Sequence, residues 1–277
     1  MSRKHAVLAV VLWSTVASAF KLSLRYLTPL GLLFYASLTS LLLFGILYAR
    51  KFSPRRENLR SAYLGLINPF LYYLVLFSAY DRLLAQEAQA LNYTWPLMLV
   101  LLSIPLLGRR PGIRTILGLF LGFLGALIVA TKGNLASLSF TDPLGVALGL
   151  GSAVIWASYW LLNLRDERPL VEKMFWNFLF GFMYISTALL VSEGFQIPSL
   201  WGLSGAAYVG LFEMGITFLL WYRAVESDIA FASSIAYLVP FLSLFFISLV
   251  VGERIASSTI LGLILIVTGI IVGKKGM

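Results

Sequence analysis

One acidic residue of this sequence lies deep inside an apolar segment. Glu213 is flanked by Leu211-Phe212 and Met214-Gly215-Ile216, well away from the ends of its hydrophobic run. Within hydrocarbon a charged side chain costs roughly 3 kcal/mol, so a residue of this kind usually serves a substrate or a proton pathway. Glu213 is therefore predicted to bind substrate and to be the proton-coupling residue. The alternative is a structural carboxyl group that is hydrogen-bonded to a neighbouring helix.

A polar residue takes the corresponding place in an earlier apolar segment. Asn68 precedes Pro69 and lies 145 residues before Glu213, close to the spacing of an internal repeat described below. We expect Asn68 and Glu213 to lie at equivalent depths of two helices that line one central cavity.

The densest polar and aromatic cluster is Asn92-Tyr93-Thr94-Trp95-Pro96. Because proline has no N–H, Pro96 leaves the carbonyl of Asn92 without its helical donor, so a kink is expected and the carbonyl becomes available to a ligand or a side chain. Pro240 lies 144 residues after Pro96 and is predicted to kink a second helix. Pro96 and Pro240 are thus the predicted hinges.

Aromatic side chains supply the remaining candidates for a binding site. Trp156 and Tyr159 are three residues apart and would share one helix face, either as substrate contacts or as packing residues. The residues predicted to bind substrate are Trp13, Asn68, Asn92, Tyr93, Trp95, Trp156, Tyr159, Glu213 and Tyr237.

Lys21 is the lysine that lies well inside an apolar segment. Its ammonium group either extends to the membrane interface or faces inward, where it would meet a substrate carboxylate. The difference matters because a zwitterionic substrate favours a cation in the site, whereas a cationic substrate needs only a carboxylate.

The composition indicates which elements must position these residues. Hydrophobic residues make up 60% of the 277 and charged residues 12%, which excludes a water-soluble globule and leaves lipid as the solvent. The apolar runs do not alternate as barrel strands do, so the prediction is an all-α integral membrane protein. With no cysteine and one histidine, His5, we expect no metal site, no cofactor and no enzyme activity.

The apolar runs predict ten transmembrane helices in two related halves. The predicted spans are approximately residues 6–24, 30–49, 59–80, 86–107, 113–131, 144–164, 171–191, 200–222, 229–251 and 257–273. Thr115-Ile116-Leu117-Gly118-Leu119 recurs as residues 259–263, an offset of 144 that also relates Gly125 to Gly269. This repeat predicts two five-helix halves, residues 1–136 and 137–277. Because five is odd, the second half is inverted about a central cavity, an arrangement typical of alternating access.

The charges of the predicted connections indicate the orientation. When each Lys and Arg is assigned to its nearest connection or terminus, 16 fall to the N-terminus, the even-numbered connections and the C-terminus, against 5 to the odd-numbered connections. Both termini are therefore predicted to be cytoplasmic. The net charge of +9 follows these loops, and no nucleic-acid partner is expected.

Several motifs resemble one transporter family. Leu220-Trp221-Tyr222-Arg223-Ala224-Val225, followed by Pro240 and Gly252-Glu253-Arg254, resembles the second repeat of EamA-type proteins of the drug/metabolite transporter superfamily. The first half resembles it through Trp13-Ser14, Lys21, Ala79, Pro96, Gly108 and Gly118, although Arg109 stands where a glutamate is expected. The resemblance covers essentially the whole chain. In aromatic content and length the chain is most similar to bacterial aromatic amino acid exporters of the YddG type.

Pattern and resemblance together predict a secondary transporter of the cell inner membrane. It would export small metabolites, in particular aromatic or other hydrophobic amino acids, by alternating access. The expected partners are a small-molecule substrate and membrane lipid, and the expected state is a monomer. Two alternatives remain: an efflux carrier for hydrophobic cationic drugs and a channel-like facilitator.

Overall fold

All regular elements in the described part of the chain are helices. The computed structural model describes residues 2–107, 112–135, 142–163 and 166–274, apart from the side chains of residues 2, 103–107, 225–234, 237 and 274. The α-helices are α1 (Ser2–Ser23), α2 (Pro29–Tyr48), α3 (Arg60–Gly65), α4 (Tyr72–Arg82), α5 (Ala85–Asn92), α6 (Trp95–Leu107), α7 (Ile113–Ala130), α8 (Pro143–Asn163), α9 (Leu170–Ser192), α10 (Leu200–Phe212), α11 (Ile216–Ile235), α12 (Val239–Phe246) and α13 (Ser257–Lys274). The shorter segments are π-helical turns at Leu66–Leu71 and Ile247–Val251 and 3-10 turns at Ala49–Lys51, Arg56–Leu59 and Ala236–Leu238.

These helices confirm an all-α, multi-pass membrane protein. Seven helical segments of the described residues are long and apolar enough to cross a membrane, and two shorter apolar helices cover Val239–Val251 and Ser257–Gly273. The exact number of ten spans stays a prediction. The predicted boundary between the halves, at residues 136 and 137, lies outside the described residues.

Two predicted spans are broken near their centres. Between α3 and α4, Asn68 has non-helical angles (φ −146°, ψ 119°), because the ring of Pro69 disfavours the helical conformation in the residue before it. Between α10 and α11, the α-helix is interrupted at residues 213–215. The two breaks thus fall at Asn68 and Glu213, which the sequence pairs.

Two further breaks accompany the predicted hinge prolines. α5 ends at Asn92 and α6 begins at Trp95, so the α-helix stops just before Pro96. The 3-10 turn Ala236–Leu238 takes the same place before Pro240. The chain is therefore interrupted next to each proline.

The boundary between the predicted eighth and ninth spans differs from expectation. α11 runs without interruption from Ile216 to Ile235 and so passes through the connection that was predicted near residues 223–228. Residues 223–235 contain neither glycine nor proline, the residues that most often end a helix.

The described loops gather at two ends of the bundle. At end A lie residues 24–28, 83–84, 131–135, 193–199 and 252–256; Arg82 forms a 2.9 Å ion pair with Asp142 there, and Thr28 donates a 2.6 Å hydrogen bond to Glu193. At end B lie residues 49–59 and 166–169, where Arg168 donates to Asn58 at 3.2 Å.

Glycines bring α7 and α13 into close contact. A Cβ atom at Gly118 would collide with the backbone of Gly269, and one at Gly125 would collide with the backbone of Gly262. Because residue numbers rise along one helix as they fall along the other, the two helices are antiparallel. Small residues permit this approach, which stabilises helix pairs in lipid.

Candidate functional site

A cavity of about 120 Å³ lies at the centre of the bundle. It is bordered by α1, α4, α5, α6, α8, α11 and α12 and by the 3-10 turn before Pro240. Ligand pockets usually exceed about 300 Å³, so the structure shows a contracted cavity. An aromatic ligand requires the lining side chains to move apart. The described lining residues are Trp13, Val16, Phe20, Tyr72, Leu76, Tyr80, Gln89, Asn92, Tyr93, Trp95, Trp156, Trp160, Glu213, Phe218, Trp221, Ala236 and Val239.

The structure brings most of the predicted binding residues to this cavity. Those that line it are Trp13, Asn92, Tyr93, Trp95, Trp156 and Glu213. Asn68 and Tyr159 are buried elsewhere, each with 1% of its surface exposed. The side chain of Tyr237 lies outside the described residues.

Aromatic rings form much of the cavity wall. Trp156 stacks on Tyr72 with ring centroids 4.5 Å apart, and its edge meets Phe218 at 5.8 Å. Trp13 contacts the same Phe218 at 6.2 Å and Trp221 at 5.1 Å. Such surfaces bind flat apolar groups by stacking and bind ammonium groups through their π faces.

Glu213 supplies the carboxyl group of the cavity. Its Oε1 accepts a 3.2 Å hydrogen bond from the hydroxyl of Tyr73, which is fully buried in α4. Its Oε2 is buried and has no hydrogen-bond partner. A buried carboxyl oxygen without a donor is costly, so this atom is suited to a proton or to a donor carried by a ligand.

Polar groups of α5 and α6 tie the cavity to neighbouring helices. Asn92 donates to Ser152 at 2.9 Å, and Tyr80 donates to Gln89 at 2.6 Å. Tyr93 donates a 2.5 Å hydrogen bond to the carbonyl of Ala236. Pro240 cannot donate the α-helical hydrogen bond to this carbonyl, which instead accepts the N–H of Val239 in the 3-10 turn. The Tyr93 hydroxyl is thus a second donor to it and joins one break to the other.

Asn68 and Tyr159 belong to a different polar cluster. Tyr159 stacks behind Trp156 at 5.7 Å, and its hydroxyl accepts a 3.2 Å hydrogen bond from Asn177 of α9. The amide of Asn68 lies beside the same hydroxyl. The expectation that Tyr159 shares the cavity face of Trp156 is therefore not met by this conformation, because three residues turn a helix by about 300° and leave the two side chains about 60° apart.

Lys21 does not line the cavity. Its Nζ donates 2.7 Å hydrogen bonds to the carbonyls of Tyr80 and Leu83, at the end of α4. These carbonyls have no helical donors, and a cation there also interacts favourably with the helix dipole. Among the described lining residues, Glu213 is consequently the only acidic or basic residue.

Several lining residues were not singled out from the sequence. Tyr72, Leu76 and Tyr80 occur at intervals of four and so occupy one face of α4. This spacing, directly after the Asn68-Pro69 break, was a usable signal. After Glu213, Trp221 corresponds to Leu76 at the offset of 145, and Phe218 lies three residues before Trp221 on α11.

Two aspartates outside the membrane-spanning segments form charged contacts at the two ends. At end A, the N–H of Gly145 and the neighbouring Arg82 hold the pKa of Asp142 below its ordinary value. At end B, burial alone would raise the pKa of Asp166, but hydrogen bonds from Arg168 outweigh it and the pKa is lowered. Both carboxylates are therefore charged at neutral pH.

The sequence of this helical protein also matches the profile of a known family. The sequence profile of the EamA-like transporter family matches residues 5–131 and again residues 143–272. The chain belongs to the EamA-like transporter family. The chain is also 27% identical to the uncharacterized transporter YvbV of Bacillus subtilis, over 94% of this chain and 87% of YvbV.

Other comparisons concern a named exporter and a solved structure. The chain is 29% identical to the aromatic amino acid exporter YddG of Ancylobacter novellus, over 88% of each chain. It is 28% identical to the aromatic amino acid exporter YddG of Salmonella typhimurium, over 58% of each. A crystal structure with 21% sequence identity superposes with a TM-score of 0.67 over 98% of this chain and 95% of that chain. The two proteins therefore share a fold.

Proposed function

We propose that this EamA-like transporter is a secondary carrier that exports small aromatic or otherwise hydrophobic metabolites through the central cavity. The observation that carries the proposal is the aromatic wall around Trp156, with the carboxyl group of Glu213 beside it. The relatives that are named aromatic amino acid exporters support aromatic amino acids as the first substrates to test.

The proposed mechanism is alternating access by two inverted five-helix halves, residues 1–136 and 137–277. Two successive matches to the family profile support the halves. Helix breaks at Asn68 and Glu213, and again before Pro96 and Pro240, support equivalent moving parts. In this proposal Pro96 and Pro240 act as hinges, and the contracted cavity opens to one side at a time.

A second candidate substrate class is the hydrophobic cation. The cavity offers a carboxylate with an unpartnered oxygen, whereas Lys21 is engaged by two carbonyls and is not among the lining residues. A zwitterion would leave its own carboxylate without a cationic partner here. An aromatic amine or a quaternary cation would not have this cost.

We also propose that Glu213 couples transport to protons. A carboxyl group in a cavity that opens alternately to each side can take up a proton on one side and release it on the other. The titratable side chains that face it are Tyr72, Tyr73 and Tyr80 of α4, and no charged partner faces it among the described residues.

Counterflow in proteoliposomes tests the carrier and its substrate class. Tryptophan, leucine and tetraphenylphosphonium serve as the three probes, with and without a pH gradient. Saturable tryptophan counterflow supports an aromatic amino acid carrier, and counterflow of the phosphonium alone supports the cation class. Flux that does not saturate and shows no counterflow would replace the carrier with a channel-like facilitator.

Cysteine labelling tests the proposed topology in the cell inner membrane. The chain has no cysteine, so Arg56→Cys at end B and Phe195→Cys at end A each introduce a single thiol. If both termini are cytoplasmic, a membrane-impermeant maleimide added outside spheroplasts labels position 195 and leaves position 56 unlabelled. The reverse pattern would invert the topology.

A further inference from the structure

A second pocket, which we call the side pocket, lies next to the central cavity and is bordered by α6, α7 and α13. Its volume is about 280 Å³, against about 120 Å³ for the central cavity. This volume is close to the lower end of the range that ligand pockets usually have. The proposed transport function assigns the side pocket no role.

The side pocket and the central cavity share part of one wall. The residues that line both spaces are Tyr93, Trp95, Trp221 and Ala236. Within this wall the hydroxyl of Tyr93 donates its 2.5 Å hydrogen bond to the carbonyl of Ala236. The two spaces are therefore neighbours, and a contact between two helix breaks lies between them.

The side pocket extends from the shared wall toward end B. Because α7 ends at the end A loop of residues 131–135, Thr115, the third residue of α7, lies toward the opposite end. Because α13 begins after the end A loop of residues 252–256, Gly273 also lies toward end B. Both residues line the pocket. In the topology that we propose, end B is the cytoplasmic side, from which an exporter receives its substrate.

The lining of the side pocket suits an uncharged aromatic ring. Tyr93, Trp95 and Trp221 offer aromatic surfaces, and none of the described lining residues is acidic or basic. Aromatic rings pack favourably on such surfaces, whereas a charged group would have no partner there. A charged substrate would therefore place only its ring in this pocket.

Thr115 supplies a polar group to this lining. Its side chain is 1% exposed, and its Oγ1 has no hydrogen-bond partner in the described part of the chain. Its repeat counterpart Thr259 is equally buried but donates at 3.0 Å to Gln86. Because a buried hydroxyl without a partner is costly, Thr115 is suited to a hydrogen bond with a ligand, for example with the N–H of an indole ring.

We propose that the side pocket is a second binding site, which holds the aromatic ring of a substrate before the substrate reaches the central cavity. The two sites would join when the contact between Tyr93 and Ala236 opens. The inference rests on the proposed export of aromatic metabolites and adds a loading site on the side of end B.

Thiol labelling tests whether the pocket holds a ring. The chain has no cysteine, so Thr115→Cys and Thr259→Cys each introduce a single thiol with little change in volume. The positions are matched, because each is the third residue of its helix and both are buried. Benzyl methanethiosulfonate, which carries a phenyl ring, should modify position 115 at least about tenfold faster than position 259. Indole should protect position 115 alone.

Three results of this experiment would overturn the inference. The first is an equal rate of modification at positions 115 and 259. The second is a fast reaction at position 115 that excess indole does not slow, because the space would then admit a reagent but hold no ring. The third is a rate at position 115 that rises only after lipid is removed, because a lipid acyl chain would then occupy the pocket.

Filling the pocket tests its role in transport. Leu119→Trp adds a ring at a lining position, so the rate of tryptophan counterflow in proteoliposomes should fall at least about fivefold at matched protein density. Phe120→Trp is the control, because Phe120 is 65% exposed and is not among the described lining residues. Its rate should stay within twofold of the wild-type rate. Equal rates for Leu119→Trp and the wild type overturn the loading role.

Labelling and transport together separate the two proposals. If indole protects position 115 but the wild type shows no counterflow of any probe, the proposed carrier function is wrong. The loading role then falls with it, whereas the binding site stands. If the wild type shows tryptophan counterflow but indole does not protect position 115, the side pocket is not a substrate site and the proposed carrier function is unaffected.

Discussion

The two helix breaks at Asn68 and Glu213 have the same packing but different chemistry. Three residues before each break, a glycine contacts a neighbouring helix: Gly65 lies against the backbone of Asn177, and Gly210 lies against the backbone of Ala36. The polar residues then diverge. Glu213 faces the aromatic cavity, whereas Asn68 faces Tyr159 and is absent from the cavity lining.

In the two-half arrangement that we propose, these two positions share a backbone role but not a side-chain role. Each break follows a glycine that lies against the backbone of a neighbouring helix. The direction in which the polar group points depends on the neighbouring helix. The first break therefore serves helix packing, and we expect ligand effects to come from the second.

The largest expected effect comes from the carboxyl group that only the second of the two breaks carries. Glu213→Gln keeps the size of the side chain and its ability to accept from Tyr73 but removes its titration. Stimulation of transport by a pH gradient should fall at least about tenfold, while counterflow at equal pH persists. Initial rates in proteoliposomes at matched protein density measure both.

Two variants complete this comparison. Glu193→Gln at end A should leave the pH dependence unchanged. Adding Asn68→Asp to Glu213→Gln should not restore coupling, because position 68 does not line the cavity. Restoration would mean that the two breaks are interchangeable.

The next effect concerns what the breaks share. Gly65→Ala and Gly210→Ala each place a methyl group against backbone atoms of another helix, and overpacking of this kind typically costs about 1–3 kcal/mol. Both variants should lower the apparent melting temperature in detergent by similar amounts. Gly151→Ala, at a position with more space, is the control. If the melting temperature falls in only one of these two variants, the two glycines do not share a packing role.

A smaller effect is expected on substrate affinity. Trp156→Ala removes a cavity wall, and an aromatic contact is worth about 0.5–1.5 kcal/mol beyond area burial, so the apparent affinity for an aromatic substrate should fall about two- to tenfold. Trp176→Ala removes a tryptophan that stacks on Phe52, away from the cavity, and should leave affinity unchanged. Equal affinities in the wild type and Trp156→Ala would remove this wall from the binding site.

The smallest effect lies at end B, next to α9. Because the folded pKa of Asp166 is below its unfolded value of about 3.9, its contact with Arg168 stabilises the protein fully above about pH 5 and is lost as pH falls through the folded pKa. Asp166→Asn should lower thermal stability at pH 7 and flatten its decline below pH 5. Asp81→Asn, at an exposed position, should keep the wild-type profile.

The sequence predicted the helices and the cavity position of Glu213 for physical reasons, and the family through the resemblance of its motifs to EamA-type proteins. Apolar runs have few stable alternatives in lipid, and a lone buried carboxyl group needs a polar neighbour. It did not predict the separation of Tyr159 from Trp156, because helix periodicity identifies neighbours on one helix but not which helix covers them. The sequence also could not predict that Lys21 donates to the carbonyls of Tyr80 and Leu83, because the end of α4 becomes a neighbour of α1 only in the folded bundle.

The contact between α7 and α13 also has an evolutionary meaning. Gly118 meets Gly269 and Gly125 meets Gly262, so each glycine touches the repeat counterpart of the other, and exchanging the two helices leaves the pattern unchanged. A self-complementary surface of this kind is what a symmetric dimer possesses. In the two-half arrangement that we propose, an ancestral five-helix chain would pair with its own copy along this seam. Under the same proposal, two fused copies are free to change separately, which would permit an asparagine at one break and a glutamate at the other.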